Sequence, residues 1–442
     1  MSAQAKDQIS TLKATMMGIN IMIGAGILSG PAIMAMAAGS ASFLAWILTA
    51  IILLPVVYNV ARLPEAIPGA GGIYLYCKKG FGNFGGFLGG WLYFIAMSFS
   101  ATAILSAFRS AFLAFYPDMF VLQSKLAFLF VCLSLMLLLN LIPASTSATI
   151  QSYLTYFKLV PILAAICLLP FFITNGISIS LNDLVNVPKA IPLAIFGFIG
   201  FEYCCSISHL VKGGPAAAKR AILTGFLFVA ALYALFHFSV LVIMGTAGLI
   251  SMQASGYAVF VGQRFPLVAS ILAYLLPLST LITYVNSTNG LTFLNSINLQ
   301  TFGNDRILRF SNYLTQQNSN GRPWISVIIS LIFMLSLGLA IGDTQRLAIG
   351  ANLSVVFLLV ISTLALIKVE WHRSFDFDRG MAILGILIGL ALVAFNWTCI
   401  APTNTERATA MIPLFVGLAL GLVLFTPNSS TANSYQSNKN FK

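Results

Sequence analysis

Two hydrophobic stretches of this chain are interrupted by glycines, and they occupy corresponding places in its two halves. The interruptions read Ile23-Gly24-Ala25-Gly26-Ile27 and Phe196-Gly197-Phe198-Ile199-Gly200-Phe201-Glu202. A membrane helix satisfies its backbone hydrogen bonds internally, so a break in lipid leaves costly unpaired polar groups. Such breaks are tolerated where the freed backbone lines an enclosed cavity. The pair therefore predicts a ligand site of the kind found between the repeats of secondary transporters.

The composition restricts the chain to the membrane. Of its 442 residues, 59% are hydrophobic and only 8% are charged, whereas soluble domains carry about 25% charged residues. A spanning helix needs about 20 apolar residues, and the sequence predicts an all-α polytopic protein with about twelve of them. The predicted spans are 16–37, 41–61, 86–115, 125–142, 150–173, 188–208, 220–244, 267–295, 324–341, 346–367, 380–400 and 409–426.

The net charge of +12 is distributed unevenly between the two sets of loops. One set holds sixteen lysines and arginines, and the other holds five: Lys125, Lys189, Arg264, Arg346 and Arg407. Positive charge collects on the cytoplasmic side of inner-membrane proteins. We therefore expect a multi-pass inner-membrane protein with both termini in the cytoplasm. The basic balance reflects topology and a lipid bilayer partner, and it does not indicate binding to nucleic acid.

The breaks have a defined chemistry because helix ends expose unpaired backbone groups. An N-terminal end carries partial positive charge and a C-terminal end partial negative charge. The amides at Gly26–Leu28 would therefore attract a carboxylate, and the carbonyls at Ile195–Gly197 would accept from an ammonium. A zwitterionic amino acid carries both groups. This complementarity predicts an amino acid as the small-molecule substrate.

Few ionisable side chains lie inside the predicted spans, and each is a functional candidate. Glu202 is the one carboxylate in any span; it is a candidate proton carrier, a partner for a cationic substrate, or a structural acid. Lys158 lies about three turns into the fifth span. Its ammonium is expected to meet carbonyls of the first or eighth span, unless it snorkels to the headgroups. Arg109 is expected to snorkel, and His237 to be a satisfied core residue.

Other classes of protein find little support in the sequence. The six cysteines have no metal-ligand spacing, so neither a metal nor a cofactor is expected. The spans contain no nucleophile–base cluster of an enzyme and no repeated pore-lining rings of a channel. The oligomeric state is left open.

Four motifs resemble the amino acid–polyamine–organocation superfamily, in particular its bacterial amino acid permeases and basic amino acid/polyamine antiporters. They are Ile23–Ile27, the loop Pro68-Gly69-Ala70-Gly71-Gly72-Ile73-Tyr74, Phe198–Glu202, and Arg322-Pro323-Trp324. The resemblance covers residues 10 to 425. It implies a LeuT-type fold with a 5+5 inverted repeat, two additional C-terminal helices, and an amino acid held at the breaks of spans one and six.

The resemblance also implies roles for single residues. Phe196 is similar to the aromatic gate over the substrate, and Tyr93 to a tyrosine near the span-six glutamate. Lys158 is similar to the lysine that replaces sodium in sodium-independent members. Ala25 stands where many members carry serine. The substrate-binding set is thus Ile23, Gly24, Ala25, Gly26, Ile27, Tyr93, Phe196, Gly197, Ile199, Gly200 and Glu202, and the coupling set is Lys158 and Glu202.

The sequence therefore predicts a cytoplasmic segment 1–13, a transporter domain 14–426, and a disordered cytoplasmic tail 427–442. Within the domain, 14–173 and 188–367 form the repeats, and 380–426 holds the two additional helices. The predicted function is secondary active transport of an amino acid by alternating access, as an antiporter or with protons. The alternatives are a polyamine or basic amino acid antiporter, then a sodium symporter or a channel.

Overall fold

The computed structural model describes residues 9–24, 26–253, 256–341, 343–371, 376–399 and 404–426. Within these ranges the regular structure is helical apart from two isolated β-bridges. The helices of the first half are α1 (Thr11–Met22), α2 (Gly26–Ala38), α3 (Leu44–Ala66), α4 (Gly72–Phe115), α5 (Phe120–Gln123), α6 (Lys125–Asn140), α7 (Ala144–Phe172), α8 (Leu181–Asn186), α9 (Ile191–Phe198) and α10 (Tyr203–Ile207). Those of the second half are α11 (Gly214–Met252), α12 (Tyr257–Gly262), α13 (Pro266–Asn304), α14 (Ser311–Leu314), α15 (Trp324–Ala340), α16 (Thr344–Val369), α17 (Phe377–Cys399) and α18 (Asn404–Leu424).

The helices have the length and composition of a multi-pass membrane protein. In the part of the chain that the structure describes, eight helical stretches are long and apolar enough to cross a membrane, and three shorter helices are also apolar. Every predicted span overlaps a helix. The first is divided between α1 and α2, and the sixth between α9 and α10. The all-helical membrane fold predicted from composition is confirmed at this level.

Several helix boundaries differ from the predicted ones. Helix α4 starts at Gly72 rather than near residue 86, and it contains a break at Gly82, where φ is 74°. Helix α13 continues to Asn304 rather than ending at 295, because its polar side chains are buried against other helices instead of facing a loop. Helix α1 begins at Thr11, inside the predicted segment 1–13. Residues 1–8 of that segment and the tail 427–442 lie outside the described residues.

Helix α1 contacts three of the long helices of the bundle. It packs against α7, α11 and α13, while α4 packs against α13 and α16, and α3 against α11 and α17. An aromatic cluster joins α9 to its neighbours: the ring centroids of Trp46 and Tyr233 are 4.5 Å apart, and those of Phe198 and Phe226 are 5.0 Å apart. The second broken span is thereby held against α3 and α11.

Two short backbone pairings fasten the ends of the described chain. Ile9 pairs with Val211 in a parallel bridge: its N–H donates to Leu210 O at 2.8 Å, and its carbonyl accepts from Lys212 N–H at 2.8 Å. Leu308 pairs with Phe425 in an antiparallel bridge. The first bridge joins the residues just before α1 to the segment that follows α10. The start of the first broken span and the end of the second are therefore tied together.

Candidate functional site

The first break lies between α1 and α2. Helix α1 ends at Met22, and Ile23 has φ −76° and ψ 70°, outside the helical region. The Gly24 N–H then donates back to Met22 O at 2.8 Å. Gly26 and Ile27 open α2, so their amides belong to the helix N-terminus, which lacks intrahelical partners. Ala25 lies outside the described residues.

The second break lies between α9 and α10. Ile199 has an extended conformation with ψ 132°, and Gly200 has φ 111°. The Gly200 N–H donates to Glu202 Oε2 at 3.0 Å. The carboxylate therefore supports the strained turn that precedes its own helix. A glycine is required here, because few other residues adopt a positive φ at low cost.

The two breaks are in direct contact with each other. A Cβ atom on Gly200 would collide with the side chain of Ile21. The hydroxyl of Tyr233, on α11, lies within hydrogen-bonding distance of two carbonyls, Met22 O at the end of α1 and Gly197 O in α9. One hydroxyl has one proton and donates to one of them at a time. Tyr233 thus connects both interrupted helices, and sequence analysis did not identify it.

A small cavity lies at this junction. Four residues predicted from the sequence line it: Gly24, Phe196, Gly197 and Ile199. The rest of the lining comes from Ile21, Met22, Ser100, Ile104 and Leu291. Helices α4 and α13 thus complete a pocket whose other walls are the two breaks.

The remaining predicted binding residues surround the pocket rather than line it. Ile23 and Ile27 are fully buried, and Gly200 and Glu202 lie on the α10 side of the second break. Tyr93 is buried in α4, close enough to Glu202 for an electrostatic interaction. The Tyr93 hydroxyl and Glu202 Oε1 are both buried without a hydrogen-bond partner.

Lys158 projects from α7 to the end of α1. Its ammonium donates to Asn20 O, Asn20 Oδ1 and Ile23 O, each at 2.7 Å, and lies 3.3 Å from Ser287 Oγ. The side chain is fully buried. The expected contact with first-span carbonyls is confirmed, and snorkelling is excluded. A single positive charge thus satisfies carbonyls that the end of α1 leaves unpaired.

A network of buried amides supports the lysine. Asn20 Nδ2 donates to Asn286 O at 3.1 Å and to Gln151 Oε1 at 3.3 Å, while Asn286 Nδ2 donates to Gln151 O at 3.1 Å. Ser287 Oγ lies 2.9 Å from Asn20 O. The network joins α1, α7 and α13. The expected contact with the first or eighth span did not identify these amide side chains as the groups around the lysine.

The two other ionisable candidates lie outside the site. Arg109 donates to Gln123 O at 2.5 Å, beyond the end of α4. His237 accepts from Trp46 Nε1–H at 3.1 Å, and its other nitrogen lies 3.1 Å from Ser42 Oγ. With Nδ1 accepting, the proton resides on Nε2 and is donated to Ser42. The prediction that His237 is a satisfied core residue is confirmed.

The described residues contain no cluster of three or more histidine, cysteine or acidic side chains that could hold a metal ion. The chemistry available at the site is therefore that of helix ends, hydroxyl groups, one buried ammonium and one buried carboxyl group. Such groups are suited to the reversible binding of a polar solute.

Comparison with known proteins identifies the family. A sequence model of the family described as "Amino acid permease" matches residues 9–425. The serine/threonine exchanger SteT of Bacillus subtilis is 26% identical over 351 residues, covering 75% of this chain and 77% of the relative. The glutamate/serine transporter AimA of the same organism is 26% identical over 51% of this chain and 46% of the relative.

A third relative is the arginine/agmatine antiporter of Chlamydia felis, 28% identical over 58% of this chain and 57% of its own length. The names of these relatives describe exchangers, transporters and antiporters, and the family match extends from the residues before α1 to the end of α18. The chain therefore belongs to the amino acid permease family and is a multi-pass secondary transporter of amino acids.

Proposed function

We propose that this permease exchanges one amino acid for another across the inner membrane by alternating access, with both termini in the cytoplasm. The observation that carries the proposal is the contact between the two helix breaks at a cavity, joined by Tyr233. The amides that begin α2 would hold the substrate carboxylate, and carbonyls at the end of α9 would accept from its ammonium. Phe196, half-buried at the cavity, would be the gate.

The proposed architecture has twelve spans. Helices α1 and α2 together would form the first span and α9 and α10 the sixth, each opening a repeat of five, 14–173 and 188–367. Helices α17 and α18 would be the two additional spans, 380–426. Because each repeat has an odd number of spans, the second would be inverted relative to the first. This arrangement would bring two oppositely oriented breaks to one site, as the binding of a zwitterion requires.

Lys158 and Glu202 are the proposed coupling residues. The ammonium of Lys158 contacts four oxygens, which is the kind of environment that a bound alkali cation takes. It would substitute for such a cation. Glu202 has one oxygen held by the Gly200 amide and one without a partner, and it would carry a proton if transport is proton-coupled.

A polyamine or basic amino acid antiporter is the alternative within the same family. In that case Glu202 would bind the second positive charge of the substrate. The cavity lining has no carboxylate, which favours the exchange of amino acids instead. A sodium symporter is disfavoured because the ammonium of Lys158 occupies the oxygen-rich position.

Counterflow in proteoliposomes tests the proposal. Purified protein would be reconstituted with unlabelled amino acid inside, and uptake of a panel of labelled amino acids and amines followed with and without a pH gradient. We expect uptake of at least one amino acid that depends on the internal amino acid. Uptake confined to basic amino acids and amines would favour the alternative.

A further inference from the structure

One wall of the cavity lies apart from the helix breaks, which would bind the charged groups of the substrate. The two breaks supply one side of the lining, and the other side consists of Ser100 and Ile104 from α4 and Leu291 from α13. Residues 100 and 104 are one helical turn apart, so they present one face. If the backbone groups of the substrate bind at the breaks, its side chain faces this wall.

Ser100 differs from the serine and threonine nearest to it on α4. The hydroxyls of Ser98 and Thr102 each donate to the carbonyl four residues earlier, at 2.8 Å. The Ser100 hydroxyl is buried, 3% exposed, and has no hydrogen-bond partner. An unpaired buried hydroxyl is destabilising. A serine in a helix can avoid this cost by donating to the carbonyl four residues earlier, but Ser100 does not do so. Because it lies at the cavity wall, this unpaired hydroxyl is available to hydrogen-bond a ligand.

The same wall is uncharged. No charged side chain lines the cavity. The Lys158 ammonium is surrounded by oxygens of Asn20, Ile23 and Ser287, and Glu202 lies outside the lining. A charged substrate side chain would therefore lose its hydration without gaining a counter-charge, which is strongly unfavourable.

The space along this wall is narrow. A methyl group on Gly24 would already touch Ile104, with its carbon 3.3 Å from Ile104 Cδ1. Phe196 and Leu291 bound the remaining sides. This wall therefore favours a small side chain.

Resting on the exchange function proposed above, we infer that the substrate is a small, uncharged amino acid whose side chain hydrogen-bonds to Ser100 Oγ. Hydroxyl-bearing side chains are then preferred to aliphatic ones of the same size, because only they give the Ser100 hydroxyl a partner. Ser100 is a specificity-determining residue, while the breaks recognise the groups that all amino acids share.

Competitive counterflow with serine, alanine, arginine and glutamate tests this inference. For the wild-type protein we expect serine to have the lowest KM, and arginine and glutamate to compete poorly. Ser100→Ala should raise the KM for serine by about tenfold, the value of one lost hydrogen bond, with the KM for alanine nearly unchanged. Ser110→Ala is the matched control, because Ser110 is exposed on the same helix and donates to Ser106 O.

Two further measurements keep the result decisive if Ser100→Ala is unstable. Ser100→Thr retains the hydroxyl and should retain the preference for serine over alanine. Serine should also raise the Tm of the purified wild-type protein more than alanine does at equal concentration. Equal losses for serine and alanine in Ser100→Ala, or a best substrate with a charged side chain, would overturn the inference and leave amino acid exchange standing. Uptake of no amino acid at all would overturn both.

Discussion

The ammonium of Lys158 binds two oxygens of Asn20, the backbone carbonyl and the side-chain amide oxygen, each at 2.7 Å. The two residues are 138 positions apart in the chain. Asn20 lies in the last turns of α1, so the lysine fixes the end of the helix whose break lines the cavity. If α1 moves relative to α7, either these hydrogen bonds break or the lysine side chain moves with α1. The lysine is therefore linked to the substrate site.

Replacing Lys158 by methionine removes the charge and keeps most of the side-chain volume. Hydrogen bonds from a charged donor are worth about 1.5–3 kcal/mol, so we expect the exchange rate to fall by about tenfold or more and the Tm to fall. The measurements are counterflow and thermal unfolding in detergent. Lys189→Met, at an exposed position, is the control and should leave both unchanged. Full exchange by Lys158→Met would remove the lysine from the mechanism.

Wild-type exchange should be independent of sodium. The oxygens that could coordinate a sodium ion near α1 are already bound to the ammonium of Lys158. We expect equal exchange rates when choline replaces sodium on both sides of the liposome membrane at constant ionic strength. A rate that rises with sodium concentration would show that a second cation site drives transport.

Replacing Glu202 by glutamine tests proton coupling. Glutamine retains an oxygen that can accept from the Gly200 amide, a bond of 3.0 Å in this structure, so the turn is expected to form. Because the amide cannot exchange a proton, the dependence of transport on pH should flatten, while exchange at the optimum persists. Glu65→Gln, which alters a surface pair with Lys219 at 2.8 Å, should leave the pH profile as it is. An unchanged profile in Glu202→Gln would indicate that Glu202 is a structural acid.

Tyr233→Phe removes the hydroxyl that connects the two breaks and keeps the ring in its aromatic cluster. A net hydrogen bond contributes about 0.5–1.5 kcal/mol, so we expect exchange to slow by about two- to tenfold. Tyr257→Phe is matched to it, because the Tyr257 hydroxyl also donates to a buried carbonyl, Pro161 O at 2.7 Å, but away from the breaks. Both variants should lose some thermal stability. Equal rates for the two variants would contradict a specific role for Tyr233.

Gly200→Ala combines backbone strain with a steric clash, and the chain offers a control that separates them. Gly176 also has a positive φ, 62°, but a Cβ there would meet nothing within 4 Å. Both substitutions add strain of about 1–2 kcal/mol. Only the alanine at position 200 would push against Ile21, so Gly200→Ala should abolish exchange and Gly176→Ala should only lower the Tm. The same counterflow and unfolding assays distinguish the two.

The sequence was sufficient to locate both breaks, because glycine inside a long apolar run is a local signal. It was also sufficient to select Lys158 and Glu202, since an ionised group is conspicuous in an apolar span. It could not identify Tyr233 or Ser100, which resemble many aromatic and hydroxyl residues in neighbouring helices. Their roles depend on which carbonyls or cavities lie opposite them, and that is decided by the packing of distant helices.

The helix boundaries, too, depend partly on packing contacts that the sequence does not reveal. Hydropathy ended the eighth span at residue 295, since asparagines usually mark a loop. In the structure Asn295 donates to Ser98 Oγ at 2.9 Å, and Asn298 to Gly90 O at 2.7 Å. These bonds to α4 give the side-chain N–H groups partners inside the bundle, so the helix continues. The sequence contains the asparagines but not the partners that make them compatible with a buried helix.

The attachment of Lys158 to the backbone has a thermodynamic consequence for exchange. A cation that is covalently part of the protein is never released into either compartment, so it does not enter the stoichiometry and draws no energy from an ion gradient. When both exchanged solutes are zwitterions, the loaded and returning forms of the carrier have equal charge. If Glu202 carries no proton during the cycle, the membrane voltage does no net work on it, and the two amino acid pools alone determine its direction.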